Sequence, residues 1–270
     1  MSTKTHYSFG VAYVGSRFHG WQVQTDQFTV QGELERALSQ IADQPVKVNA
    51  AGRTDKGVHA TGQVAGFSTT AQRSAETWLR GLRGLTPQDL GILWLREVPA
   101  RFHPRYSAVS RRYRYLFFDA EVDNVFSNER TWSRHLNKAG AKFERLDADI
   151  MHANAQSLVG EHDFTTFRGA GCQSLTPMRR VNRCQVVRQG DLVVMDIEAN
   201  AFVLHMVRNI ARGLVESSIF GSWNHIRDLL ECCDRADLGA TAPPHGLYLA
   251  GVSYPEYDFP MPPSPMILSV

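Results

Sequence analysis

Three short stretches of the sequence hold side chains that could do chemistry. In residues 50–64 a lone carboxylate, Asp55, stands close to Arg53 and Lys56 in a run rich in Gly and short polar residues. A carboxylate kept ionised by nearby cations can act as a nucleophile. On local composition the plainer reading comes first: a polar hairpin loop whose Asp bonds its own backbone. In residues 107–115, Arg111, Tyr113 and Tyr115 share one face of a strand, while Arg112 and Arg114 share the other. The rings either fill a core or offer one face to a nucleotide, where a stacked base is worth roughly 1–3 kcal/mol. In residues 199–210, Arg208 stands among Val203, Met206, Val207 and Ile210. A cation in that setting either snorkels to solvent or pairs with a carboxylate. A fourth stretch, residues 158–167, contains His162 and Asp163. An acid–base pair is conceivable there, but a helix C-cap at Gly160 followed by buried Phe anchors is the simpler reading.

The elements around these residues follow from hydrophobic period. Tyr7, Phe9, Val11 and Tyr13 alternate as a strand, and residues 15–22 form a loop whose aromatics are either core plugs or a stacking surface. Thr29 suits an N-cap, and Val30, Leu34, Leu38 and Ile41 predict a helix over 30–42. A strand from Val46 and Val48 runs into the Asp55 loop. A third strand spans 64–67, a helix 72–84, and a fourth strand 91–98. The order βαββαβ predicts a ferredoxin-like unit. A looser second copy follows, with no sequence identity to the first. It has a strand at 108–118, a helix capped by Asp147 that ends near Gly160, and a hairpin of 181–188 with 192–199. Helices at 202–219 and 223–233 and a strand at 247–252 complete it. The expected division is residues 1–104 and residues 105–270, the second with a Pro-rich tail at 260–265 that cannot form regular structure. The fold class expected is α+β with a mostly antiparallel sheet.

Composition narrows the setting. The chain of 270 residues is 43% hydrophobic and 21% charged, which suits a globular protein. No apolar run approaches the roughly 20 residues of a membrane span, and the first residues lack an apolar signal core. The four Cys show no CxxC pair and no zinc spacing, so reduced structural thiols in a cytoplasmic protein are expected. The ten His form no metal pattern. Net charge is only +2, but 24 of the 29 cations are Arg, the residue whose planar fork suits phosphate. Residues 101–118 hold five Arg and no acid, and residues 164–190 hold five more and no acid. Such runs predict a polyanionic partner.

The motifs together resemble one family. Ala51-Gly52-Arg53-Thr54-Asp55-Lys56-Gly57-Val58-His59 is similar to the nucleophile motif of the tRNA pseudouridine synthase A (TruA-type) family. That pattern is Ala-Gly-Arg-Thr-Asp-x-Gly-Val-His, and every specified position matches. Tyr13 with residues 15–22 resembles the family's Tyr-x-Gly-x-x-(Phe/Tyr)-x-Gly-Trp-Gln signature. Residues 107–115 resemble its Ser-Ala-x-x-Arg-Arg-Tyr-x-Tyr motif, and residues 158–167 its Leu-x-Gly-x-His-(Asp/Asn)-Phe-(Ser/Thr)-x-Phe motif. Residues 199–210 resemble Ala-x-x-Phe-x-x-x-Met-Val-Arg-x-(Ile/Leu), and Gly246-Leu247-Tyr248-Leu249 resembles the last motif. The likeness spans residues 7 to 254. One departure stands out: Arg83-Gly84-Leu85-Thr86-Pro87 replaces the usual Asn-x-x-Leu-Pro, in a region the resemblance puts near the RNA.

The resemblance implies two ferredoxin-like (RRM-like) halves with a cleft between them, and a cofactor-free isomerase that turns uridine into its C5-glycoside. It assigns the nucleophile to Asp55, base stacking to Tyr113, and pairing with the nucleophile to Arg208. Leu247 would pack beside the target base, and Arg53, Arg111 and Arg112 are candidates for phosphate contact. It also implies a homodimer acting on uridines 38 to 40 of the tRNA anticodon stem. Two rivals come from other classes. An inactive tRNA-binding or folding module would need only the fold and the Arg runs. The set Asp55, Tyr113 and Arg208 argues against it. An Asp-dependent hydrolase of RNA would call for a metal constellation or a second paired carboxylate, and the sequence offers neither.

Overall fold

The computed structural model describes residues 4–122, 124–133 and 144–260. They form an α+β protein whose sheet is mostly antiparallel. The chain divides into two compact units. One comprises Met1–Val109 with Tyr248–Val270, the other Ser110–Leu247. A single cut after residue 104 would leave residues 105–109 and the last strand outside the first unit.

The first unit runs β1 (Thr5–Tyr13), α1 (Val30–Ala42), β2 (Val48–Ala50), β3 (His59–Thr69), α2 (Ala75–Leu85) and β4 (Leu90–Glu97). The strands lie in the order β4-β1-β3-β2, all antiparallel neighbours, which is ferredoxin-like. Thr29 caps α1 by accepting from the Gly32 amide, and Val30, Leu34 and Leu38 bury the predicted stripe. Ser74 caps α2 by accepting from the Thr77 amide, so that helix starts at 75 rather than 72. Its Trp78 is fully buried against Tyr7 and Phe67, with ring centroids 6.0 and 5.2 Å away. β3 starts at His59, five residues before the expected strand at 64–67. His59, Ala60, Thr61 and Gly62 have little strand pattern of their own. Pairing with β1, in which Ala60 faces Tyr13, imposes the conformation.

The second unit runs β5 (Ser110–Phe118), β6 (Trp132–Ser133), α3 (Ala148–Gln156), β7 (Gly160–Asp163), β8 (Met178–Gln189), β9 (Leu192–Ala199), α4 (Met206–Phe220) and α5 (His225–Cys232). Its strands order as β6-β5-β9-β8-β7. β6 is parallel to β5 and the rest are antiparallel. Asp147 caps α3 through the Asp149 and Ile150 amides. That helix stops at Gln156, and Gly160, at φ +117°, opens strand β7. The expected C-cap at Gly160 is therefore corrected to a strand start, because a short edge strand takes up residues 160–163 against β8. The Phe anchors stand as read, with Phe164 and Phe167 fully buried. α4 begins four residues later than 202, since Leu204 is held by the Gly169 amide and His205 takes a left-handed φ of +61°. The last strand, β10 (Leu247–Ser253), runs parallel to β3 in the first unit, with Tyr248 and Leu249 opposite His59 and Ala60. The Pro-rich tail lies outside the described residues beyond Pro260. The segment before it packs on the first unit, with the Phe259 ring stacked on Trp94 at 4.6 Å.

Candidate active site

Asp55 sits half-buried in the connection from β2 to β3. The Val58 amide donates to the Asp55 carbonyl at 3.1 Å, and Gly57 takes φ +84°. A four-residue turn with positive φ at its third position is type II geometry and favours Gly there. The turn is locked to its surroundings by hydrogen bonds. Tyr13 and Thr54 share a buried hydroxyl–hydroxyl bond of 2.8 Å. The Trp21 amide donates to the Thr54 carbonyl at 3.0 Å. Gln63, fully buried on β3, donates from Nε2 to the Gly52 carbonyl at 2.6 Å.

The loop over residues 15–22 lies directly against this turn, and two glycines allow it. A Cβ on Gly15 would stand 2.0 Å from the Val58 carbonyl oxygen. A Cβ on Gly20, at φ +82°, would stand 2.8 Å from the Thr54 carbonyl oxygen. The Gly15 amide donates to His59 Nδ1 at 3.1 Å, which fixes the tautomer of a His buried against the Tyr248 ring. Phe18 and Trp21 are almost wholly buried, so the loop's aromatics are core plugs, one of the two readings the sequence left open. Of the cations near Asp55, Arg53 is exposed, and Lys56 Nζ meets His19 Nε2 at 3.0 Å.

In the second unit Tyr113 and Tyr115 lie on the inner face of β5, as the alternation predicts. Tyr113 is 9% exposed, with the Phe202 ring edge-on at 5.0 Å. Arg111 donates to the Asn200 carbonyl at 3.0 Å. Arg112 and Arg114 on the other face are not free forks. Both bond the Asp196 carboxylate, Arg112 Nε at 2.7 Å and Arg114 Nε at 2.9 Å, and Arg183 reaches it at 3.3 Å. Burial pushes the Asp196 carboxyl up, but the hydrogen bonds and charges of Arg112 and Arg114 outweigh it and hold the group below its ordinary value. The same bond raises the Arg112 guanidinium, against burial. Three guanidiniums on one carboxylate leave the cluster net positive.

Arg208 is half-buried on α4, where Val207, Ile210 and Leu214 of the apolar stripe are buried along with Val203 just before the helix, and its Nε donates to the Ala242 carbonyl at 2.7 Å. Leu247 is buried at the start of β10. His162 and Asp163 use their polar atoms locally. His162 Nε2 meets the Val159 carbonyl at 3.1 Å, and Asp163 caps the Thr165 amide at 2.8 Å. Arg83, at the departure from the family pattern, donates to the Ile92 and Leu93 carbonyls at 3.0 and 3.1 Å and so staples α2 to β4. All four Cys are free thiols, and among the described residues no group of three or more His, Cys, Asp or Glu is placed to hold a metal.

Thr54, Gln63 and the two glycines are working residues that the sequence does not single out. Gly15 and Gly20 stand in a motif whose aromatics are its more visible feature. Nothing local marks Gln63, whose partner lies eleven residues away across a turn.

Two ferredoxin-like units of mostly antiparallel sheet, with the Asp55 carboxylate on a glycine-closed turn between β2 and β3, have the architecture of a pseudouridine synthase. Residues 10–107 and 154–255 match the family described as tRNA pseudouridine synthase, and the chain belongs to that family. Curated relatives match over nearly the whole chain. The tRNA pseudouridine synthase A of Coxiella burnetii (strain Dugway 5J108-111) is 46% identical over 263 residues, 96% of each chain. That of Escherichia coli O1:K1 / APEC is 47% identical over 268 residues, 97% of this chain and 95% of the relative. Among solved structures, a chain of a Cbf5-Nop10-Gar1 complex matches 78% of this chain and 44% of its own, at 11% identity and a TM-score of 0.35.

Proposed function

We propose that this tRNA pseudouridine synthase acts on uridines 38 to 40 of the anticodon stem-loop, with Asp55 as nucleophile and without a cofactor. The observation that carries the reading is the Asp55 turn, whose neighbours Thr54 and Gly52 are held by the buried side chains of Tyr13 and Gln63, in a chain of this family. The reaction breaks the N1–C1′ bond, turns the base and forms a C5–C1′ bond. C5 loses a proton and N1 gains one, so the composition is unchanged. The target base must leave its stack to meet a half-buried group. The carboxylate begins the reaction by attack at C6 of the base or at C1′ of the ribose, and either attack needs it ionised.

Tyr113 stacks on the base and Leu247 packs beside it. Arg208 supplies the cation that holds Asp55 ionised and aimed. Arg53, Arg111 and the net-positive cluster that includes Arg112 contact phosphate. The enzyme works as a homodimer in the cytoplasm. Among the described residues no helix is long and apolar enough to cross a membrane.

Carbodiimide mapping by primer extension tests the target. Transcripts with uridine at 38, 39 or 40 should gain stops there after incubation with the protein. Stops confined to uridines outside the anticodon arm would overturn the positional reading.

A further inference from the structure

The turn over residues 242–247 leads straight into Leu247, and side chains of other elements hold it. Pro243 and Pro244 have no amide to donate, and the turn's own bond is the Leu247 amide to the Pro244 carbonyl. Arg208 Nε on α4 donates to the Ala242 carbonyl at 2.7 Å. The Tyr115 hydroxyl on β5 donates to the Pro243 carbonyl at 2.7 Å. Gly246 lies against the same Tyr115 ring, where a Cβ would come within 2.7 Å of the ring and 2.9 Å of the Leu116 carbonyl oxygen. The ring itself packs against Phe117 and Trp132, with centroids 4.8 and 6.1 Å away. Burial pushes the Tyr115 phenol well above its ordinary value, with Arg208 opposing, so the hydroxyl remains a donor throughout the neutral range.

We propose that Tyr115 is a positioning residue that sets Leu247 against the target base by clamping the 242–247 turn through its hydroxyl and its ring. The proposal rests on the reading of Leu247 as the base-packing side chain. Tyr113 would touch the base directly. Tyr115, two residues on, would act only through the turn. The arrangement also gives Arg208 a second task, since its Nε is committed to the turn.

A kinetic double-mutant cycle on tRNA tests this. Tyr115→Phe removes the hydroxyl and keeps the ring. It should lower kcat about tenfold, with KM for tRNA little changed, because phosphate contacts dominate tRNA affinity. In a Leu247→Ala background the same change should cause no further loss. Gly246→Ala displaces the turn from the ring side and should behave alike, which keeps the test open if Tyr115→Phe fails to fold. Wild-type kcat in both variants, or an equal loss with and without the Leu247 side chain, would overturn the proposal. Full activity of Leu247→Ala alone would remove the base-packing reading itself, and the clamp's role with it. That outcome is read from a single variant in which Tyr115 is untouched.

Discussion

Gly15 and Gly20 do as much for the Asp55 turn as any polar residue near it, because they let a second loop lie flat against it. Gly15→Ala should therefore be severe. Its methyl meets backbone, which cannot swing aside, so the loop pair must separate. Overpacking of that kind costs about 1–3 kcal/mol, and the turn should lose its placement as well. Urea unfolding should report the loss, and turnover at a temperature where the variant is folded should fall further than stability alone explains. Tyr13→Phe probes the same frame more gently. Removing its hydroxyl leaves the Thr54 hydroxyl short of a buried partner, for about 1–3 kcal/mol. Unchanged stability and turnover in both variants would mean that the turn holds itself. At this scale the motif positions were legible in the sequence and their tasks were not. A Gly written into a signature reads as a turn, whereas these two are points of close approach between segments some forty residues apart, which only the folded chain brings together.

Among the elements, β5, β8 and β9 share one electrostatic joint at Asp196. Its carboxyl lies below the ordinary value in the folded protein, so it binds a proton less readily folded than unfolded. The stability it contributes is full above the unfolded value of about 3.9 and is lost as pH falls through the folded value. Asp196→Asn should destabilise by about 1–2 kcal/mol near neutrality, a figure reduced because the three Arg are partly exposed. The gap to wild type should shrink below about pH 4. A gap that is constant from pH 7 to pH 3 would contradict the joint. Period alone located α1, β1, β4 and the β8–β9 hairpin, since each buries one face with its own repeat. It missed the start of β3 and the strand β7, and it set α4 four residues early, because pairing partners and a pinned loop decide those. It also could not see that Arg runs without acids in sequence find acids in space.

Across the whole molecule, these pairings limit the Arg that are left to meet phosphate. Of the ten Arg in the two acid-free runs, at least five, Arg101, Arg112, Arg114, Arg183 and Arg188, pair with carboxylates. Binding of tRNA should fall as salt rises, but with fewer counterions released than ten free Arg would give. A slope of log K against log salt near −3 to −5, rather than near −9, is the expectation at about −0.9 per phosphate. A flat line would remove the polyanion argument. The two units were foreseen as a repeat of one pattern. The return of β10 to β3 was not, since a short apolar strand carries no mark of its parallel partner.

Isomerisation by Asp55 can be followed as tritium release from tRNA labelled at uridine C5. Only a reaction that frees the C5 hydrogen gives a signal, so neither binding nor strand hydrolysis can imitate it. The wild-type chain should release tritium with turnover. Asp55→Asn should release none above background, yet bind the same tRNA within about tenfold, because phosphate contacts dominate affinity. Release by the Asn variant at more than roughly a tenth of the wild-type rate, a barrier change of only about 1.4 kcal/mol, would contradict Asp55 as the nucleophile.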